Sequence, residues 1–180
     1  EAFDYLAEKY NYHDYGSKLS GDKVKHYQRM YSLQKVFDND PVPNDLQNKE
    51  IVESVKLDGA ALSLLYIDGH LVQAATRGDG IEGVDVTAKF LETDIVPTYI
   101  PTPYTTQITG ELLTTKDKEN FRNYAAGALN LKDVEEFRNR QLYFVAYGTS
   151  REKDTYVNQM GFLAKIGFRI VLESLENLAN

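Results

Sequence analysis

The stretch from Glu53 to Gly80 reads Glu-Ser-Val-Lys-Leu-Asp-Gly-Ala-Ala-Leu-Ser-Leu-Leu-Tyr-Ile-Asp-Gly-His-Leu-Val-Gln-Ala-Ala-Thr-Arg-Gly-Asp-Gly. The short apolar run Ile51 to Val55 predicts a strand that delivers Lys56 at its end, and Asp58-Gly59 predicts a turn. Ala60 to Ile67 predicts a second strand and His70 to Thr76 a third. Between them Asp68-Gly69 is a two-residue hairpin signal, because both central positions of that turn need φ > 0. The third strand runs out into Arg77-Gly78-Asp79-Gly80. A lysine and an arginine therefore sit at predicted strand ends beside glycine turns. That arrangement suits a phosphate-bearing ligand, which needs positive charge and a bare backbone to approach.

Lys56-Leu57-Asp58-Gly59 has two readings. One is an ordinary turn with a solvated lysine, the aspartate bonding its own backbone. The other is a nucleophilic lysine, whose amine attacks only when deprotonated and so needs burial or nearby positive charge. Arg77 and a bound metal are the candidates for that charge.

Together with Thr76-Arg77-Gly78-Asp79-Gly80 and Gly83-Val84-Asp85-Val86-Thr87, the lysine motif resembles the adenylation domains of NAD-dependent DNA ligases. The resemblance runs in order from His26 to Gly167. It takes in Met30-Tyr31-Ser32-Leu33, Thr109-Gly110-Glu111, Arg122-Asn123-Tyr124-Ala125-Ala126-Gly127 and Phe144-Val145-Ala146-Tyr147-Gly148. It implies a covalent nucleotidyltransferase fold of the α+β class, with mainly antiparallel sheets flanked by helices. It also implies that Lys56 takes AMP from NAD, with Glu111 on the ribose, Tyr147 stacked on adenine, and Ser32 and Leu33 beside the base. Leu57 and Arg77 complete the expected nucleotide contacts, and magnesium is the expected metal, held by few protein ligands. The adenine-reading glutamate of such domains lies two residues before the lysine. Here Ser54 holds that position and Glu53 is one further back. Alternation along a strand puts Ser54 on the face of Lys56, so a bulge would be needed to bring Glu53 round, and both stay candidates. The sequence also departs from the family at Arg29, Tyr31 and Thr109, where Pro, Leu and Arg are usual.

The chain has 180 residues, 42% of them hydrophobic, which suits one domain with its own core. We expect residues 1–22 to be a helix or linker remnant and 23–180 an adenylation domain whose C-terminal part falls beyond Asn180. A fragment and one subunit of a split ligase both fit, so a second ligase subunit is a possible partner. Nicked double-stranded DNA is the partner implied for the complete enzyme. The formal charge of −7 argues against a basic nucleic-acid-binding surface spread over the whole chain. With no cysteine, disulfides and cysteine zinc sites are excluded from these residues. No apolar run approaches ~18 residues and no signal peptide is visible, so a cytoplasmic location is expected. An ATP-using ligase or capping-type nucleotidyltransferase shares Lys-x-Asp-Gly and is the enzymatic alternative. A catalytically idle nucleotide-binding or assembly subunit is the other.

Of the remaining segments, Glu1 to Tyr12 predicts a helix end and Val84 to Glu92 a short helix opened by Gly83. Tyr104 to Leu113 predicts a strand with Glu111 near its end. Lys116 to Ala126 predicts a helix capped by Thr114 or Thr115, and Val134 to Arg140 another helix. Gln141 to Tyr147 predicts a strand, Tyr156 to Ile166 an amphipathic helix, and 167–171 a last strand.

Overall fold

A hairpin at the centre of the chain sets the architecture. In the computed structural model, which describes residues 21–33, 35–41, 43–44, 47, 51–114, 120–150 and 155–171, strands β2 (Ala60–Ile67) and β3 (His70–Thr76) pair antiparallel. Asp68 and Gly69 join them with φ of 50° and 80°, as a two-residue turn of matching twist requires. Strand β5 (Thr106–Thr114) lies on the other side of β2, followed by β6 (Leu142–Thr149) and the short β7 (Arg169–Ile170), in the order β3-β2-β5-β6-β7. All neighbours are antiparallel except β6 and β7. A two-stranded ribbon of β1 (Lys23–Lys25) and β4 (Glu82–Val84) forms a second sheet against the end of β3, where the Val84 N–H donates to Thr76 Oγ1 at 2.9 Å. The helices are α1 (Thr87–Leu91), α2 (Phe121–Leu129), α3 (Val134–Arg138) and α4 (Tyr156–Lys165).

Strand alternation gives the sheet two unlike faces. Leu62, Leu64 and Tyr66 on β2, Ile108 and Leu112 on β5, and Phe144 and Ala146 on β6 all point one way. Phe90 of α1, Leu129 of α2, Phe137 of α3 and Leu163 of α4 cover them and close the main core. The opposite face carries Ala61, Ser63 and Leu65, and beside them Gln107, Thr109 and Glu111. The α+β class and the mainly antiparallel sheet agree with the sequence expectation.

Several local expectations need correction. Residues 51–58 are not a strand, and Ile51, Val52 and Val55 are exposed. Their β-prone side chains have no ladder to join among the described residues, and propensity without a partner does not make a strand. Lys56 therefore lies on an irregular approach to β2, and the alternation argument about Glu53 and Ser54 has no strand to act on. The helix expected from Gly83 begins only at Thr87, because Glu82–Val84 pairs with Lys23–Lys25 as β4. Gly83 serves a close approach: a Cβ there would lie 1.6 Å from the Thr76 carbonyl oxygen. Glu111 lies inside β5, which continues to Thr114. Thr114 is thus a strand residue, and α2 is capped by Asn120, whose side chain accepts from the Asn123 N–H. The expected starts at Glu1 and Lys116 lie outside the described residues.

Candidate active site

Glu111 is the centre of the second sheet face. It pairs across β5 with Ala61 on one side and Val145 on the other. Its Oε1 accepts a hydrogen bond from the Gly59 N–H at 3.1 Å, which ties the turn after Lys56 to the strand. Burial pushes the Glu111 carboxyl above the usual glutamate range. The Gly59 N–H and the charges of Lys56 and Arg122 pull it back, and Asp58 adds to the rise. Lys56 is itself exposed and within electrostatic reach of this carboxylate. Arg122, near the start of α2, holds Asp58 Oδ1 through Nη2 at 2.9 Å and Nε at 3.0 Å.

Tyr147 enters the site through a bulge. Thr109 pairs with Gly148 and the next residue, Gly110, with Ala146, so Tyr147 is an extra residue in β6. Bulges re-aim side chains, often beside functional sites. The Tyr147 hydroxyl lies within electrostatic reach of the Glu111 carboxylate. Burial, then the Glu111 charge, push that hydroxyl up to about 12 against the opposing pull of Arg77, so the ring stays neutral in ordinary buffers.

Arg77 continues from β3, its N–H bonded to the Ala61 carbonyl at 3.1 Å. Its guanidinium donates to Ser32 Oγ at 2.7 Å. His26 Nε2 lies 3.0 Å from the Arg77 carbonyl and donates to it, which leaves Nδ1 buried with no protein partner. Desolvation holds the His26 ring below its ordinary value, in keeping with a neutral imidazole. The strap of residues 25–32 and the Arg77 turn are thereby clasped together, with Met30 N–H on the Gly80 carbonyl at 2.8 Å.

Between this strap and the ends of β5 and β6 runs a cleft of about 220 Å³, lined among others by Gln28, Met30, Arg77, Thr109, Tyr147 and Ser150. A larger hollow of about 500 Å³ between residues 94–98, the start of β6 and β7 holds none of the candidate site residues. The sequence-predicted residues divide accordingly. Arg77 and Tyr147 line the cleft, the Glu111 charge acts on the Tyr147 hydroxyl, and Lys56 lies within reach of Glu111. Ser32 is exposed and holds Arg77. Leu57 packs against Leu113, Val145 and Val171. Leu33, Glu53 and Ser54 are exposed and outside the cleft lining. Sequence reasoning missed Gln28 and Gln107. The signal for Gln107 was its spacing, two and four residues before Thr109 and Glu111 and so on their face.

The comparisons with known proteins converge with this geometry. Residues 19–121 match the family model described as the NAD-dependent DNA ligase adenylation domain. A DNA ligase of Corynebacterium aurimucosum is 32% identical over 150 residues, covering 69% of this chain and 22% of that protein. A DNA ligase of Campylobacter concisus is 33% identical over 178 residues, covering 85% of the chain and 27% of its own length. One from Fervidobacterium nodosum is 28% identical over 196 residues, covering 91% and 29%. The chain thus spans between a fifth and a third of the length of these relatives. No helix among the described residues is long and apolar enough to cross a membrane. With the matched segment running through the Lys56 turn, the Arg77 loop and Glu111, the chain belongs to the family of NAD-dependent DNA ligase adenylation domains.

Proposed function

We propose that this chain carries out the self-adenylation step of NAD-dependent DNA ligation, transferring AMP from NAD to Lys56. The observation that supports the reading is a run of neighbours at one cleft: Arg77 and Tyr147 line it, the Glu111 and Arg77 charges act on the Tyr147 hydroxyl, and the Lys56 charge acts on Glu111. Such a set of donors fits an adenylate: an aromatic ring for the base, a carboxylate for a ribose hydroxyl, and cations for phosphate.

The neutral Lys56 amine forms a bond to the adenosine-side phosphorus as the bond from that phosphorus to the bridging oxygen breaks. The electron pair leaves with nicotinamide mononucleotide, and the amine proton passes to solvent. Arg77 supplies positive charge near the phosphates, and Arg122 does so when it releases Asp58. Glu111 orients the ribose, and Tyr147 holds the base plane. Ser32 fixes Arg77, while Leu57 anchors the segment behind the lysine in its apolar cluster. Leu33, Glu53 and Ser54 would meet the nucleotide by moving in as it binds. Magnesium, bound through phosphate oxygens with Asp58 or Glu111 as available carboxylates, would neutralise charge that develops on the phosphates. In the complete enzyme the AMP then passes to a 5′-phosphate at a nick in double-stranded DNA.

Intact-mass measurement tests this directly. The purified chain incubated with NAD and magnesium should gain one adenylyl group, should gain none with ATP, and should gain none as Lys56→Ala. An adduct of normal yield on Lys56→Ala would refute the assignment.

A further inference from the structure

Two buried glutamines have no part in that chemistry. Leu65 on β2 stands in register with Gln73 on β3 and with Gln107 on β5, so the two amides flank it on the site face of the sheet. Both are almost fully buried, at 3% and 2% exposure. A buried amide is costly unless its donors and acceptor are met, and here the strap over the cleft meets them. Gln107 Oε1 accepts from the Gln28 N–H at 2.8 Å, and its Nε2 donates to the Gln28 carbonyl at 2.9 Å. Gln73 Nε2 donates to the Lys25 carbonyl at 3.0 Å. The chemistry of Gln28 fixes which end of the Gln107 amide is which, since a backbone N–H needs an oxygen and a carbonyl needs an N–H.

These bonds differ from the strap's other ties. His26 N–H on the Ile81 carbonyl, Met30 N–H on the Gly80 carbonyl and Ser32 on Arg77 join the strap to the turn after β3. The glutamines join it to the strands themselves. Gln28 to Tyr31 form one wall of the cleft and Tyr147 with Gly148 the other, so the height of the strap above the sheet sets the width between them.

We infer that Gln107 and Gln73 are positioning residues that hold the strap at the height a nucleotide base requires. The inference rests on the nucleotide reading of the cleft. If loss of the Gln107 bonds leaves the strap closed one-tenth of the time, the apparent Kd for nucleotide rises about tenfold, because affinity scales with the competent fraction. The number of sites does not change.

The test uses the full 180-residue chain and AMP as the probe, titrated by calorimetry, with amide hydrogen exchange read on peptides covering 26–32 and 60–67. Gln107→Leu removes both bonds. Gln107→Glu keeps the size and the acceptor but sets an oxygen against the Gln28 carbonyl. The expected result is a Kd at least about tenfold weaker for both variants at one site per chain, with faster exchange in 26–32 and none gained in 60–67. Should Gln107→Leu fail to fold, Gln73→Leu at the other tie gives the same reading. Wild type that binds AMP while the variants bind within about twofold of it overturns the positioning role and leaves the cleft reading intact. Wild type that binds no AMP overturns the cleft reading and the positioning role together.

Discussion

Replacing Gly80 by alanine should open the cleft from the side opposite the sheet. Gly80 sits at φ of +89°, and a Cβ built on it would lie 2.4 Å from the Met30 carbonyl oxygen. Ordinary contact begins at 3.4 Å, so the strap must retreat by about 1 Å (3.4 − 2.4). The retreat stretches the 2.8 Å bond from Met30 N–H to the Gly80 carbonyl, worth about 0.5–1.5 kcal/mol. The left-handed backbone adds roughly 1–2 kcal/mol for a residue with a Cβ. Together the cost is about 1.5–3.5 kcal/mol. If the chain relieves it by opening the strap, AMP affinity falls roughly 10- to 300-fold, at about 1.4 kcal/mol per decade. If the whole fold bears it instead, the melting temperature drops by roughly 3–14 °C for a domain of this size. Calorimetric titration and a thermal melt on the same sample separate the two routes. Gly80→Ala that binds AMP and melts like wild type would show that the clasp between strap and Arg77 turn does not shape the site.

Other outcomes follow from the same geometry. His26 has its folded value lowered, chiefly by burial, so the folded state binds fewer protons than the unfolded one. Stability should therefore fall as pH drops below the ordinary histidine value of 6.5, and urea midpoints of His26→Gln should lose that slope. Glu111 shifts the other way, its carboxyl raised mainly by burial. Its contribution to stability should decline as pH climbs from the ordinary glutamate value toward the raised one, and urea midpoints of Glu111→Gln should lose that slope. Tyr147→Phe keeps the ring and loses the hydroxyl on which the Glu111 charge acts. It should change AMP affinity by less than about fivefold, whereas Tyr147→Ala should cost about tenfold or more through lost stacking. Arg122→Ala breaks an ion pair whose side chains are 60% and 61% exposed, so a melt should shift by no more than about 3 °C, while adenylation yield drops.

The elements that could be read from sequence were those whose signals are local. Asp68-Gly69 between alternating apolar runs specifies the β2–β3 hairpin, and the spacing of Tyr156, Met160 and Leu163 specifies α4. Elements that depend on distant partners were not legible. Glu82–Val84 becomes a strand because Lys23–Lys25 lies beside it, some sixty residues earlier in the chain. Gly83 looked like a helix opener and is instead a point where two backbones nearly touch. Ile51 to Val55 has the composition of a strand and no described neighbour to pair with. In the site, Lys56, Arg77, Glu111 and Tyr147 were named by motif; the structure puts Arg77 and Tyr147 in the cleft lining, with the Glu111 charge acting on Tyr147 and the Lys56 charge on Glu111. Gln107 was not: its spacing from Thr109 and Glu111 puts it on their face, but its role lies in the bonds its amide makes to the backbone of Gln28, far away in sequence.

The supernumerary residue in β6 has a consequence for insertions and deletions. Tyr147 is present in the strand without a mate on β5, so excising that single residue would let Gly148 slide into regular pairing after Ala146. The ladder would heal, the helices on the far face would keep their packing, and the aromatic wall would be gone. A one-residue deletion here should therefore yield a well-folded chain without the ring proposed to hold the base, a separation of folding from binding that few positions inside a strand allow.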